Sequence, residues 1–454
     1  MADILRSVGL DVGTTSTQLI FSRLTVENQS GPFSVPEMKI ARREILYKSP
    51  VHFTPLLDES RVDADALRDI VAGEYARAGI TRESVDTGAI IITGETSRKE
   101  NAEAVLRELS GFAGDFVVAT AGPDLESVLA AKGAGAVAYS RDTGKRVLHM
   151  DIGGGTSNLA LIEDGAIVAT GCLNVGGRLL KFDKDGVVQY VSPVLSGLTE
   201  LKPGSRATGQ QVEAVAGLLT QALEMAAGLR EPEPLLEKLT TAGTAMETVS
   251  GQVVLSFSGG VADCIESEQP WLTYGDLGPI LGRAIRASRL CAGEYMLGRE
   301  TIRATVIGAG CHSAQLSGST VYHRNVKFPL KNCPVIQVSP DLEDSPGLPE
   351  YLRRELKKRE GIAVIALSGN SAAGYGAVRT LAERIAQAAG AETVAVCLEG
   401  DMAKALGQAL ALRLPGKSIL CIDRVKLQPE SYLDVGAPVG PALPVVVKTI
   451  VLNQ

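Results

Sequence analysis

Apolar residues recur along the chain at two spacings, and the switches between them mark out the elements. Short apolar runs bounded by glycine, proline or aspartate predict strands at Gln18 to Ser22, Arg43 to Tyr47, Thr87 to Gly94, Asp115 to Ala119, Leu159 to Ile162 and Ile167 to Thr170. Steps of three and four predict helices over Asp63 to Ala78, with Leu67, Ile70, Val71 and Tyr75 on one side, over Ser97 to Leu109, and over Gln210 to Leu229. Two stretches rich in small residues, Ala130 to Ala136 and Thr305 to Ala314, mirror each other. Small side chains let backbones approach closely, so tight packing at a junction between lobes is expected there.

The texture changes near Val326. Pro329, Pro334, Pro340, Pro346 and Pro349 predict a linker, and the charged run Tyr351 to Arg359 predicts a solvated helix. Strand-like runs at Ile362 to Leu367, Val394 to Leu398 and Ser418 to Ile422 then alternate with helices Gly374 to Ala389 and Ala403 to Leu412, a small α/β unit of its own. The expected division is residues 1–145, 146–325 and 326–454.

Length agrees, because 454 residues exceed what one core accommodates. A net charge of −7 with no long basic run argues against a nucleic-acid surface. The first residues lack a basic stretch followed by an apolar one, and no segment is apolar enough to span a bilayer, so neither secretion nor membrane insertion is expected. Seven cysteines spread singly among four histidines fit reduced, buried thiols in a cytosol. Cys311-His312, the adjacent pair of metal-ligand types, reads as a helix N-terminal turn, since no further ligand lies at a useful spacing.

The candidate chemistry lies in a repeated motif. In Met150-Asp151-Ile152-Gly153-Gly154-Gly155-Thr156-Ser157-Asn158, a strand ends on a carboxylate and returns through a glycine turn. In Leu10-Asp11-Val12-Gly13-Thr14-Thr15-Ser16-Thr17-Gln18 the pattern recurs, 151 − 11 = 140 residues earlier. Exposed backbone N–H groups in such a turn cradle phosphate oxygens, and a carboxylate at the strand end holds a hydrated magnesium ion against them. One such turn alone is an ordinary hairpin; two in register predict paired lobes facing a nucleotide cleft. Neither copy is a P-loop or a Rossmann fingerprint, for the turn leads into a strand and no Gly-Lys-Ser/Thr follows. At Val253 to Asp263 a strand meets Gly259-Gly260, which admits a flat base or ribose, with a plain strand-to-helix turn as the alternative. The turn from Ser368 to Gly376 looks nucleotide-like but lacks the lysine and spacing of a known loop, and reads as structural.

This order of motifs resembles the actin, hexokinase and heat-shock chaperone ATPase superfamily over roughly residues 5 to 325. More closely, the whole chain resembles the ethanolamine ammonia-lyase reactivating factors. The likeness includes Ile91-Ile92-Thr93-Gly94-Glu95-Thr96-Ser97-Arg98-Lys99-Glu100-Asn101-Ala102, Val306 to Gly318 and the tail Pro444 to Thr449. The resemblance implies an α/β, two-lobed actin-like ATPase fold of duplicated ribonuclease H-like domains with an extra C-terminal α/β unit. It further implies a chaperone-like ATPase that uses ATP and Mg2+ to free damaged or adenosyl-less cobalamin from ethanolamine ammonia-lyase. The implied setting is cytoplasmic, with any link to a bacterial microcompartment running through the partner enzyme; no oligomeric state is implied.

On this resemblance Asp11 and Asp151 hold magnesium through its waters. Gly13, Thr14, Thr15, Ser16, Gly153, Gly154, Gly155 and Thr156 contact the phosphates, and Gly259 and Gly260 face the adenosine. One departure stands out. Chaperone ATPases carry Asn-Glu-Pro where this chain has Ala121-Gly122-Pro123, so a water-positioning carboxylate is missing at Gly122. Glu95 and Glu126 are the nearest substitutes in sequence, and slow turnover is expected. The alternative functions are a small-molecule kinase of the same superfold, for which no catalytic aspartate stands out, and a filament-forming actin relative.

Overall fold

The computed structural model describes residues 3–13, 16–28, 38–58, 61–92, 101, 105, 109, 123–241, 243, 246, 249–298, 301–312, 315–317, 320–359, 361–369, 374–390, 393–425, 427, 431–438 and 442–449. Strands β1 (Asp3–Val12), β2 (Ser16–Asn28) and β3 (Met38–Lys48) form an antiparallel meander. Helix α1 (Ala64–Ala78) follows, capped by the Asp63 side chain at one end and by Gly79 in the left-handed region at the other. It packs Leu67, Val71 and Tyr75 onto Val8, Leu10, Phe21 and Ile90. Strand β4 (Thr87–Ile92) then joins parallel to β1, giving the order β3-β2-β1-β4.

After helices α2 (Pro123–Gly133) and α3 (Ala136–Thr143), the same plan is built again. Strands β5 (Val147–Ile152), β6 (Ser157–Glu163) and β7 (Ala166–Leu173) form the second meander. Helix α4 (Gly209–Ala226) begins with a capping box between Thr208 and Gln211 and buries Val212, Val215, Leu219 and Leu223 in the largest core. Strand β8 (Val254–Ser258) pairs parallel to β5, and beyond helix α5 (Gly278–Arg286) strand β9 (Tyr295–Leu297) pairs parallel to β8. The order β7-β6-β5-β8 repeats that of the first sheet and β9 extends it, so the duplicated ribonuclease H-like plan of the actin-like ATPase fold is present.

Helix α6 (Ala304–His312) crosses α2 backbone to backbone. A Cβ on Gly133 would lie 1.8 Å from the Ala304 carbonyl oxygen, and one on Gly308 would lie 2.0 Å from that of Leu129. The first sheet rests on the same helix: a Cβ on Gly9 would lie 2.5 Å from the Val306 oxygen, and the Ser7 hydroxyl donates to the Gly310 oxygen. The junction expected from small residues is therefore real, with two corrections. The stretch Ala130 to Ala136 is not one helix, because Gly135 takes φ 86° and separates α2 from α3. Cys311 and His312 end α6, where the sequence reading placed a helix N-terminal turn.

The C-terminal unit holds β10 (Leu330–Gln337), α7 (Leu348–Lys357), β11 (Val364–Leu367), α8 (Tyr375–Ala388), β12 (Thr393–Leu398), α9 (Ala403–Arg413), β13 (Ser418–Asp423), β14 (Ser431–Val435) and β15 (Pro444–Thr449). Helices α7, α8 and α9 cover one face of its sheet. The proline-rich stretch is not a free linker, for Pro334 sits inside β10 opposite Tyr432. A register shift between Leu330 and Cys333 precedes it, the kind of irregularity that admits a residue with no N–H. The sheet also takes in Gln315–Leu316 and Tyr322–Arg324, so its strands lie on both sides of the expected boundary at 325/326. The expected helix Ser97 to Leu109 lies largely, and the strand Asp115 to Ala119 wholly, outside the described residues.

The helix crossing yields a stability test. Gly133→Ala and Gly308→Ala each force a methyl group into a backbone carbonyl and are expected to cost about 1–3 kcal/mol in denaturant unfolding. Gly73→Ala, inside α1 where a Cβ meets nothing within 4 Å, should instead stabilise by about 0.5–1 kcal/mol.

Candidate nucleotide cleft

The two glycine hairpins superpose in their hydrogen bonding. In the first, Asp11 stands opposite Gln18 and the Gly13 N–H donates to the Ser16 oxygen at 2.9 Å; in the second, Asp151 stands opposite Asn158 and the Gly153 N–H donates to the Thr156 oxygen, also at 2.9 Å. Both hairpins open onto one cavity of about 380 Å³, lined by Asp11, Gly13 and Ser16 from one side and by Asp151, Gly153, Gly154, Gly155 and Thr156 from the other. Gly259 and Gly260 line it as well. Of the residues expected at this site, Thr14, Thr15 and Glu95 lie outside the described residues, as do Ala121 and Gly122. All the others, Glu126 included, are brought together.

Gly259 is fixed by its surroundings. It takes φ 88°, and a Cβ there would fall 2.3 Å from the Ile152 carbonyl oxygen. The Val261 N–H donates to that same oxygen at 3.1 Å, tying the turn after β8 to the residue that follows Asp151. Ala262 to Cys264 then form a single 3-10 turn, so the expected helix start after the glycine pair is only a short coil of helix. Gly176 is held by a different approach: a Cβ there would lie 2.3 Å from the Gly154 oxygen. Gly177 and Arg178 donate their N–H groups to the Gly153 and Gly154 oxygens at 3.0 and 2.6 Å.

Asp151 is buried, and burial raises its carboxyl above the ordinary range, while hydroxyl donors from Ser258 and Thr305 pull the other way. Behind Ser258 lies His149, wholly buried, with Nε2 at 3.0 Å from Ser258 Oγ and Nδ1 at 2.9 Å from Ser256 Oγ. Ser258 gives its proton to Asp151, so it accepts from His149, which therefore carries its proton on Nε2 and accepts from Ser256 at Nδ1. Glu126, also buried, accepts from Asn158 Nδ2 at 2.6 Å. Gln18 donates its amide to the Ile302 oxygen at 3.1 Å.

Reading the sequence missed Thr305, His149, Arg178 and Asp276. His149 carried a signal, as the one ionisable side chain before Asp151 in the run Val147–Ile152, where every residue is buried. Thr305 carried none, since a threonine at a helix start is unremarkable. At the start of the turn from Ser368, Glu343, itself buried, accepts from the Ser368 and Gly369 N–H groups and occupies those two donors with the protein's own carboxylate; residues 370–373 of that turn lie outside the described residues. The six cysteines whose side chains are described are buried.

Burial pulls the His149 pKa down to about 3. An unfolded chain takes up a proton near 6.5, which the folded chain refuses. This component of stability is whole above about pH 6.5 and is lost as pH falls toward 3, by about tenfold in the unfolding constant per pH unit. His149→Gln should remove that slope, read as the difference between the two proteins' denaturation midpoints from pH 7 to pH 4.

A family model described as ethanolamine utilisation protein EutA matches residues 3–453. The Salmonella typhimurium protein named ethanolamine ammonia-lyase reactivase EutA is 38% identical over 466 residues, and the alignment covers 98% of each chain. Its Escherichia coli namesake is 38% identical over 463 residues with the same coverage. Among solved structures, the PPX-GPPA enzyme of Aquifex aeolicus aligns with 68% of this chain and 90% of its own at 16% identity, with a TM-score of 0.36. The chain belongs to the EutA family of ethanolamine utilisation proteins.

Proposed function

We propose that the chain is a nucleotide-driven reactivase, an ATPase that opens inactivated ethanolamine ammonia-lyase, frees damaged or adenosyl-less cobalamin and lets intact coenzyme rebind. The observation that carries the reading is that Asp11, Asp151 and Gly259-Gly260 share a single cavity. Family membership supports ethanolamine ammonia-lyase as the partner, and favours this reading over a small-molecule kinase.

The residues fit a magnesium nucleotide. Gln18 and Asn158, at matching positions opposite the two aspartates, each keep a buried amide oxygen without a hydrogen-bond partner, acceptors suited to the water ligands of a small hard cation. Asp11 and Asp151 would hold the cation through those waters; once bound, magnesium neutralises charge on the phosphates. Ser16 and the hairpin residues Gly153 to Thr156 would bind phosphate oxygens. Gly259 and Gly260 would face the adenosine. Glu126 replaces the carboxylate missing at Gly122 and orients the attacking water, its Oε2 held by Asn158. Water adds to the γ-phosphorus as the bond to ADP breaks, so positioning dominates and turnover is slow. Closure of the lobes on the nucleotide and reopening after hydrolysis bias the state that acts on the lyase.

Asp11→Asn and Asp151→Asn should each lower Mg-ATP hydrolysis by about tenfold to a hundredfold with the fold intact; wild-type rates would refute the site. Lyase inactivated with cyanocobalamin should recover ethanolamine deamination on addition of this protein, adenosylcobalamin, ATP and magnesium, and not when ATP is withheld. A metabolite-dependent phosphorylated product would replace the reactivase reading with the kinase.

A further inference from the structure

We propose that Arg178 is a phosphate-binding residue of the cleft, which leaves Asp276 for phosphate oxygens of the bound nucleotide; the inference rests on the nucleotide reading above. Charge makes the first argument. The described lining carries the carboxylates Asp11, Glu126, Asp151, Asp263 and Asp276, and Arg178 is its one arginine or lysine. A triphosphate brings more negative charge than one divalent cation cancels, so a second cation in this wall has a specific task.

Placement makes the second. Arg178 is stapled to the second phosphate hairpin through its own N–H, which donates to the Gly154 oxygen at 2.6 Å. The glycine at 176 permits that approach. The guanidinium is partly buried at the cavity wall.

Its present partner holds it loosely. Among the described residues the side chain pairs with Asp276 alone, with Nε 3.4 Å from Oδ2, beyond the ordinary N–H···O distance. A guanidinium has five N–H donors in a planar fork that matches two phosphate oxygens, and a single long contact uses little of it. Asp276 in turn has support besides the arginine. Its Oδ1 accepts from the Gly278 N–H at 2.9 Å at the start of α5, whose dipole favours a negative charge, and Lys181 stands close enough to act on the same carboxylate. When Arg178 turns to the nucleotide, the Gly278 N–H and Lys181 still support the Asp276 carboxylate.

The experiment is calorimetric titration of the full chain with Mg-ATP, Mg-ADP and adenosine, comparing wild type with Arg178→Gln, Arg178→Lys and Asp276→Asn. Losing one charge-assisted phosphate contact should weaken Mg-ATP and Mg-ADP binding to Arg178→Gln about tenfold or more and leave adenosine binding unchanged, which also reports that the variant is folded. Arg178→Lys should recover part of the loss. Asp276→Asn should bind Mg-ATP at least as tightly as wild type, because the competing carboxylate is gone. Arg178→Gln binding Mg-ATP like wild type would overturn the proposal, as would Asp276→Asn losing as much as Arg178→Gln, the mark of a purely structural ion pair. Wild type that binds no nucleotide would overturn the nucleotide reading itself, and this inference with it.

Discussion

The crossing of α2 and α6 is the constraint on which the cleft depends. Two helices approach to backbone contact only where neither carries a side chain, and Gly133 and Gly308 supply that condition on opposite partners. The first sheet rests on α6 through Gly9 and Ser7, while α2 packs beside the strands of the second sheet and sends Glu126 into the cavity. The distance between the two glycine hairpins is thus set by atoms outside the cavity lining. A larger side chain at either crossing glycine would part the two sheets that bring Asp11 and Asp151 to one cavity.

Within that frame the two aspartates are not equivalent. Asp151 is buried against hydroxyls and, beyond them, a neutral histidine, so its charge carries a desolvation cost that neutral donors only partly offset. Asp11 is less deeply buried. Sequence alone presents them as copies of one motif. The asymmetry comes from what the rest of each lobe places behind the hairpin, Ser258 from β8 and Thr305 from α6 in the second case.

The architecture was legible where local physics dominates. Helix α1 was legible from the spacing of Leu67, Ile70, Val71 and Tyr75, and β5 to β7 from apolar runs on either side of a glycine turn. The hairpin pair was legible because duplication repeats a pattern that chance rarely repeats in register. What could not be read was set by long-range pairing. Pro334 inside β10 looked like a linker because its strand partner, Tyr432, lies about a hundred residues away and the irregular register that tolerates it has no local signature. Gly135 looked like one more small residue in a helix, yet its left-handed φ divides two. Arg178 and Asp276 were invisible for the same reason, since nothing near either residue announces the other.

Helix α6 also settles where the C-terminal unit meets the rest. Thr305 in its first turn reaches Asp151, Gly308 meets α2, Gly310 accepts from Ser7, and the chain then enters Gln315–Leu316, which pairs with Pro444–Val445 at the edge of the C-terminal sheet. One short helix therefore touches Asp151, both lobes and the root of the third unit. A rotation of one lobe against the other cannot leave α6 undisturbed, because its backbone is already in contact with both. Whatever arrangement the lobes take, the strand that follows α6 takes part in it, and through Pro444–Val445 so does the edge of the C-terminal sheet.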